Sequence, residues 1–168
     1  WRVLRAEVLH LVSAIYAHLT LGVIHPEWRA FEQTVMDAKE NHVDAFRTAH
    51  EAFAARVARG CLLSDSDLPI RNAIERILGL ALRLRLQLDD LPRLDANQHA
   101  ANAAGWRREL RSGVVFVLTE LKRAAEQEAR PELIDLCRLI DYNNHYDSET
   151  STAAASPGAR KFALRDGL

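Results

Sequence analysis

Cysteine is nearly absent: Cys61 and Cys137 are the only two in 168 residues. That excludes a small secreted scaffold stapled by disulfides. Each stands beside leucines, in CLL and DLCRL, so both read as buried free thiols of an intracellular protein. Asn-x-Ser/Thr acceptors are missing too, in keeping with that compartment. Glycine is scarce, and Gly22, Gly60, Gly79, Gly105 and Gly113 are isolated, which excludes a glycine-rich phosphate loop and a Gly-x-Ser-x-Gly nucleophile elbow. An excess of either charge is also lacking: 22 Lys and Arg face 23 Asp and Glu, a net charge of -1. A nucleic-acid binder driven by phosphate neutralisation needs a basic face, so none is expected, and the cluster Arg107, Arg108, Arg111 reads as a solvated helix face. No stretch alternates with period two, and hairpin dipeptides are missing. The one long apolar run, Val8 to Ile24, is uncharged but of marginal length and carries His10 and His18. It reads as a buried core helix, with no membrane partner expected.

What is present is helical periodicity. Leu4, Val8, Leu11, Ile15 and Leu19 recur at steps of three or four, one face of an amphipathic helix. It runs from Trp1 to about Val23, roughly 35 Å at 1.5 Å per residue, and Gly22 and Pro26 end it. Pro26 then opens a second helix with Trp28, Phe31 and Val35 inward, Pro and Glu27 both suiting a first turn. A third carries Val43, Phe46, His50, Phe53 and Val57 and stops at Gly60. Ser66 or Asp67 caps a fourth, with Pro69 in its first turn. Its inner face is Ile70, Ile74, Ile77, Ala81, Leu84 and Leu88, and Leu78, Leu80 and Leu82 widen it, which makes it the expected most buried helix. DDLPRLDANQ is a loop. The fifth helix, about Gln98 to Glu128, turns Trp106, Leu110, Val114, Val117 and Leu121 inward. Arg130-Pro131 breaks it, and a short sixth covers about Glu132 to Ile140. The expected fold is all-α, a multi-helix bundle of about six helices over residues 1–147. Residues 148–168, rich in Ser, Thr, Ala, Pro and Gly, read as a disordered tail. The chain starts at Trp1 inside a helical pattern, so a longer protein is expected, of which this is the C-terminal part.

Seven histidines raise a metal question: His10, His18, His25, His42, His50, His99 and His145. His50-Glu51 opens like a zinc-protease helix, but the second ligand position holds Ala54. His50 lies in an apolar stripe and reads as a hydrogen-bonded core histidine. His10 and His18 are too far apart along one helix for a tetrahedral site. Cys137 has leucine neighbours, which disfavours a thiolate. The expectation is a non-enzyme with no metal and no cofactor. One cluster stays open. The last helix gives way to DYNNHYD, and Asp141, Tyr142, Asn143 and Tyr146 could form a catalytic site, a metal site, or a device that ends and pins that helix.

Three segments, in order, carry a resemblance. Val8-Leu9-His10-Leu11, Tyr16 and Pro26-Glu27-Trp28 are the first; AHEAF followed by CLLSDSD is the second; LIDYNNHY is the third. Together they resemble the C-terminal domain of the gamma-tubulin complex components, most of all component three, across Arg5 to Tyr146. Leu139 stands where the family usually has arginine. The resemblance implies a structural scaffold that holds gamma-tubulin, associates with other complex components and supports microtubule nucleation. The site of action would be the cytoplasm, at spindle poles and other microtubule-organising centres, in mitotic spindle assembly. Asp141, Tyr142, Asn143 and Tyr146 match its terminal signature. They would form a structural clasp, the short side chains satisfying backbone groups at the helix end and the tyrosines burying rings; a direct tubulin contact is the alternative. Arg83, Arg107 and Arg111 are the candidate partner-binding anchors. A generic helical interaction module unrelated to tubulin is the second reading of the same helices.

Overall fold

The computed structural model describes residues 2–37, 43–90 and 96–146, and every regular element among them is helical. The expected tail from 148 onward lies outside the described residues. In chain order the elements are α1 (Arg2–Ala17), a π-helical turn (His18–Ile24), α2 (His25–Asp37), α3 (Val43–Gly60), a 3-10 turn (Asp65–Asp67), α4 (Leu68–Asp90), α5 (Ala96–Gln127) and α6 (Glu132–Ile140). The expected count of six separate helices is not matched: the first two are one uninterrupted helical run. Pro26 does not break it, because the turn before it is wider. His25 donates its amide to the carbonyl of Thr20, a π spacing. That extra residue per turn accommodates a proline that lacks an N–H and crowds the preceding turn. The loop expected at DDLPRLDANQ is also shorter, since α4 reaches Asp90 and α5 starts at Ala96.

The core forms where α5 packs against α4 on one side and α6 and α1 on the other. Ile70, Ile77, Leu80 and Leu84 of α4 meet Leu110, Val114, Val117 and Leu121 of α5, with Leu133, Leu136 and Ile140 of α6 and Leu4 and Leu11 of α1 closing the cluster. All six residues from Gly113 to Leu118 are buried. So α5, not α4, has the longest buried stretch, because neighbours surround it while α4 leaves Leu82 and Leu86 exposed. The run from Arg2 to Asp37 is long and apolar enough, by length and composition, to cross a membrane, yet only 22 % of its most apolar window is buried. Leu9, Tyr16 and Leu21 face outward, so the core-helix expectation is met on one face only.

Helices α2 and α3 form an antiparallel pair that stands apart from this core. Among the described residues each packs on the other and on the π turn, with only marginal contact elsewhere. Phe31 is its buried centre, 5.2 Å from the ring of Phe53 and 6.0 Å from that of His50. The rest of the expected stripe is shallower than its periodicity implies. Val43 and Phe46 are exposed, and so are Trp28 and His50. His50 is therefore not a core histidine. It edges an aromatic cluster of a two-helix arm too thin to enclose it. His42 lies outside the described residues.

At the base of that arm sits a buried ion pair. Arg130 Nη1 donates to Asp67 Oδ1 at 2.7 Å and Nη2 to the carbonyl of Arg59 at 2.7 Å, while Nε reaches Glu132 at 3.3 Å. Both side chains are about 1 % exposed, and Asp67 Oδ2 has no partner among the described residues. Asp67 is thus not the helix cap that the sequence pattern implies; its carboxylate serves Arg130 instead. Burial opposes the guanidinium's charge, but the bonds to Asp67 and Glu132 outweigh it and raise its pKa. The two helix ends beside the pair share one geometry. Leu62 and Leu63 donate back to Arg59 and Ala58, and Arg130 donates back to Ala125. These are Schellman bonds, with left-handed Leu62 (φ 61°) and Ala129 (φ 50°) where glycine is usual. Gly60 ends α3 as expected, but without a left-handed conformation of its own. It is required because a Cβ there would meet Val23 Cγ1 at 2.5 Å. His18, buried in the π turn, bonds the carbonyl of Gly60 through Nε2 at 3.3 Å, and burial pushes its pKa below the ordinary histidine value.

Arg130→Ala is expected to destabilise the fold by about 3–5 kcal/mol, since it strands a buried carboxylate, whereas Arg130→Met with Asp67→Leu costs less than the single change; denaturant unfolding of the three chains checks this. Ala129→Gly is expected to stabilise by about 1 kcal/mol and raise the melting temperature by a few degrees, because the left-handed conformation penalises a Cβ. For His18 the unfolded chain binds a proton below about pH 6.5 while the folded chain, its pKa lowered, resists it. The contribution is full above that pH and is lost as pH falls toward the folded pKa. Urea midpoints should therefore fall between about pH 7 and 5 more steeply for the native chain than for His18→Gln.

Candidate functional site

The polar-aromatic cluster after α6 folds back on itself. Asp141 leaves the helix at φ -123°, ψ 55°, its amide still bonded to the carbonyl of Cys137. Its carboxylate, 9 % exposed, accepts the amide of Tyr146 at 3.1 Å on both oxygens. Its carbonyl accepts the amide of Asn144, which takes a left-handed conformation at φ 54°, where asparagine is tolerated. The loop is pinned from inside, the Asp141 carboxylate and carbonyl collecting the backbone amides of Tyr146 and Asn144 beyond the helix end. Tyr146 packs against the core as expected, with Arg111 Cζ 5.8 Å above its ring. Tyr142 does not bury its ring. It is 75 % exposed, because the chain turns after Asp141 and aims it outward. Asn143 is exposed too.

The clasp walls a cleft of about 330 Å³ between α1, α5 and the segment after α6. Leu11, Val114 and Ile140 make its apolar floor; Glu7, His10, Tyr142, Asn143, His145 and Tyr146 line its rim. His10 joins it from the other end of the sequence. Its Nε2 lies 3.1 Å from the carbonyl of Ile140, the last residue of α6, and its ring meets Tyr142 edge-on at 5.7 Å. The carbonyl can only accept, so His10 presents Nε2–H there. Sequence periodicity placed His10 on a helix but gave no hint of its partner 130 positions away.

The three candidate arginines are all engaged within the chain. Arg107 is 3.8 Å from Glu7 at the cleft rim, with about half its side chain exposed. Arg111, one turn on, lies over Tyr146. Arg83 is elsewhere, 3.1 Å from Glu109 and with Cζ 5.7 Å over the ring of Trp106. The structure thus gathers Arg107, Arg111 and the clasp around one cleft and leaves Arg83 apart. Exposed aromatic edges, imidazoles and a half-exposed guanidinium suit the surface for contact with a partner. The nearest thiol, Cys137, is free and buried, and burial pushes its pKa up to about 11, so it is protonated at neutral pH. Cys61 is also free, but half-buried rather than buried. Among the described residues no three His, Cys, Asp or Glu side chains form a group that could hold a metal ion. Sequence reasoning placed Asp67 at a helix start and Arg130 at a helix break but missed their pairing; the only signal was an arginine directly before a helix-opening proline.

No curated protein matches this sequence closely enough to count as a relative. The family model described as gamma tubulin complex component C-terminal matches residues 1–146, which span every helix of the structure and end at Tyr146, the last residue of the clasp. The chain therefore belongs to the gamma tubulin complex component family.

Proposed function

We propose that this chain is a structural subunit that holds gamma-tubulin and, with other components of the same complex, supports microtubule nucleation at microtubule-organising centres, spindle poles among them. The observation that carries the reading is the family match across residues 1–146. The resemblance of AHEAF and CLLSDSD favours component three among the members. The role proposed is that of a scaffold in the cytoplasm and not of an enzyme, and the nucleotide chemistry belongs to the tubulin.

The cleft at the clasp is the proposed contact. An ordinary stable interface buries roughly 1,600 Å², more than this cleft offers, so α1 beside it contributes through Leu9 and Tyr16, 61 % and 67 % exposed. Tyr142 is the proposed anchor: it is exposed, aromatic and held in place by a buried acid one residue earlier. Tyrosine and arginine dominate interface hot spots because they bring large contact area together with hydrogen-bonding capacity. Arg107 is the second anchor. Its exposed pair with Glu7 contributes little to stability and can be exchanged for a partner's carboxylate.

Co-sedimentation of gamma-tubulin with the full chain, alongside thermal melts, tests this. Tyr142→Ala and Arg107→Glu are each expected to weaken binding about tenfold or more with the melting temperature unchanged. Asp141→Ala is expected to lower both, since the amide of Tyr146 loses its acceptor. Absence of binding by a well-folded native chain would overturn the function. Binding untouched by the Tyr142 and Arg107 changes would overturn only the choice of face.

A further inference from the structure

We propose that the π-helical turn His18–Ile24 is a hinge about which the α2–α3 arm moves as a unit, latched in the observed position by His18 and Arg130. This is independent of the gamma-tubulin reading. Three observations carry it. The first is mechanical: the arm packs on the rest of the chain chiefly through the π turn, so its own interior, Phe31 against Trp28, Phe46 and Phe53, survives a rigid-body swing. A π turn inside an α-helix already has its hydrogen bonds in a wider register, and exchange between π and α spacing changes the direction of the helix beyond it.

The second is the latch. The last carbonyls of α3 have no partner within their own helix. Two side chains from outside the arm take them: His18 Nε2 donates to Gly60 at 3.3 Å and Arg130 Nη2 to Arg59 at 2.7 Å. Arg59 answers across the gap, its Nη2 reaching the carbonyl of Glu128 at 3.3 Å. These bonds join the arm to the hinge and to the α5–α6 junction, and none of them belongs to the arm's own packing. The third is room. A cleft of about 340 Å³, lined by Gly22, Glu27, Arg56, Arg59, Ala129 and Glu132 among others, separates the arm from the α5–α6 junction. Four charged side chains line it, so water can enter as it opens.

The contact of Gly60 with Val23 supplies the lock for a test. A Cβ at Gly60 would stand 3.4 Å from Val23 Cβ, near the lower end of the separation a disulfide spans, about 3.5–4.5 Å. The chain Val23→Cys, Gly60→Cys, Cys61→Ser therefore locks the hinge when oxidised and frees it when reduced. Nitroxides attached through ketone-bearing residues introduced at Asp44 on the arm and Arg138 on α6, both well exposed, report the arm by pulsed electron spin resonance. The reduced and native-sequence chains are expected to give a distance distribution with a second population, which oxidation abolishes. His18→Phe in the native background is expected to enlarge that population about fivefold, the worth of one hydrogen bond. One narrow distribution, the same in native, His18→Phe, reduced and oxidised chains, would overturn the hinge. Should the double-cysteine chain fail to fold, the native and His18→Phe distributions decide alone: a second population that His18→Phe enlarges supports the hinge, and a single narrow one refutes it.

Discussion

The Arg130–Asp67 pair is the constraint around which the chain is arranged. A charge pair taken fully out of water is stabilising only when nearly every polar atom in it is satisfied. Arg130 meets that demand by drawing in three separate stretches: the 3-10 turn through Asp67, the end of α3 through the Arg59 carbonyl, and the start of α6 through Glu132. Those stretches are the connections α3–α4 and α5–α6. One side chain thereby fixes where two helices stop and in which direction their successors leave. The left-handed conformations of Leu62 and Ala129, unfavourable for residues with a Cβ, are part of that cost and sit beside the pair that holds them.

A second regularity lies along the first helical run. His10 and His18 both project from it, and each bonds the carbonyl of the last residue of another helix, Ile140 of α6 and Gly60 of α3. The terminal carbonyls of a helix need partners and carry its negative dipole end, and an imidazole N–H supplies a donor without a permanent charge. One helix thus ties down the ends of two others that never touch each other substantially. At its first half this builds the wall of the clasp cleft. At its second half it builds the junction of the arm.

The division between body and arm follows from where apolar volume is available. Where α1, α4, α5 and α6 meet, four helices contribute Leu, Ile and Val in depth, and the core there excludes water. Around Phe31 only two helices meet, so Trp28, Phe46 and His50 stay partly in solvent although they sit on the inner stripe. Two helices cannot enclose a face on both sides; a third is needed to cover it.

The sequence by itself determined the helical class, the inner faces of α4 and α5, the position of α6 from Glu132 to Ile140, and the family, because these depend on local periodicity and on the identity of short motifs. It also singled out the cluster Asp141 to Tyr146 as a place where the helix is ended by polar groups. The tertiary structure alone decided what those groups touch. It turned Asp67 from a cap into a buried counter-charge, His50 from a core residue into a surface one, and Tyr142 from a buried ring into an exposed one. It carried one helix through Pro26 by widening a turn. The reason is common to all: periodicity reports which residues share a face, whereas the depth of that face and the partner of a polar group are set by segments tens of residues away, whose approach no local pattern encodes.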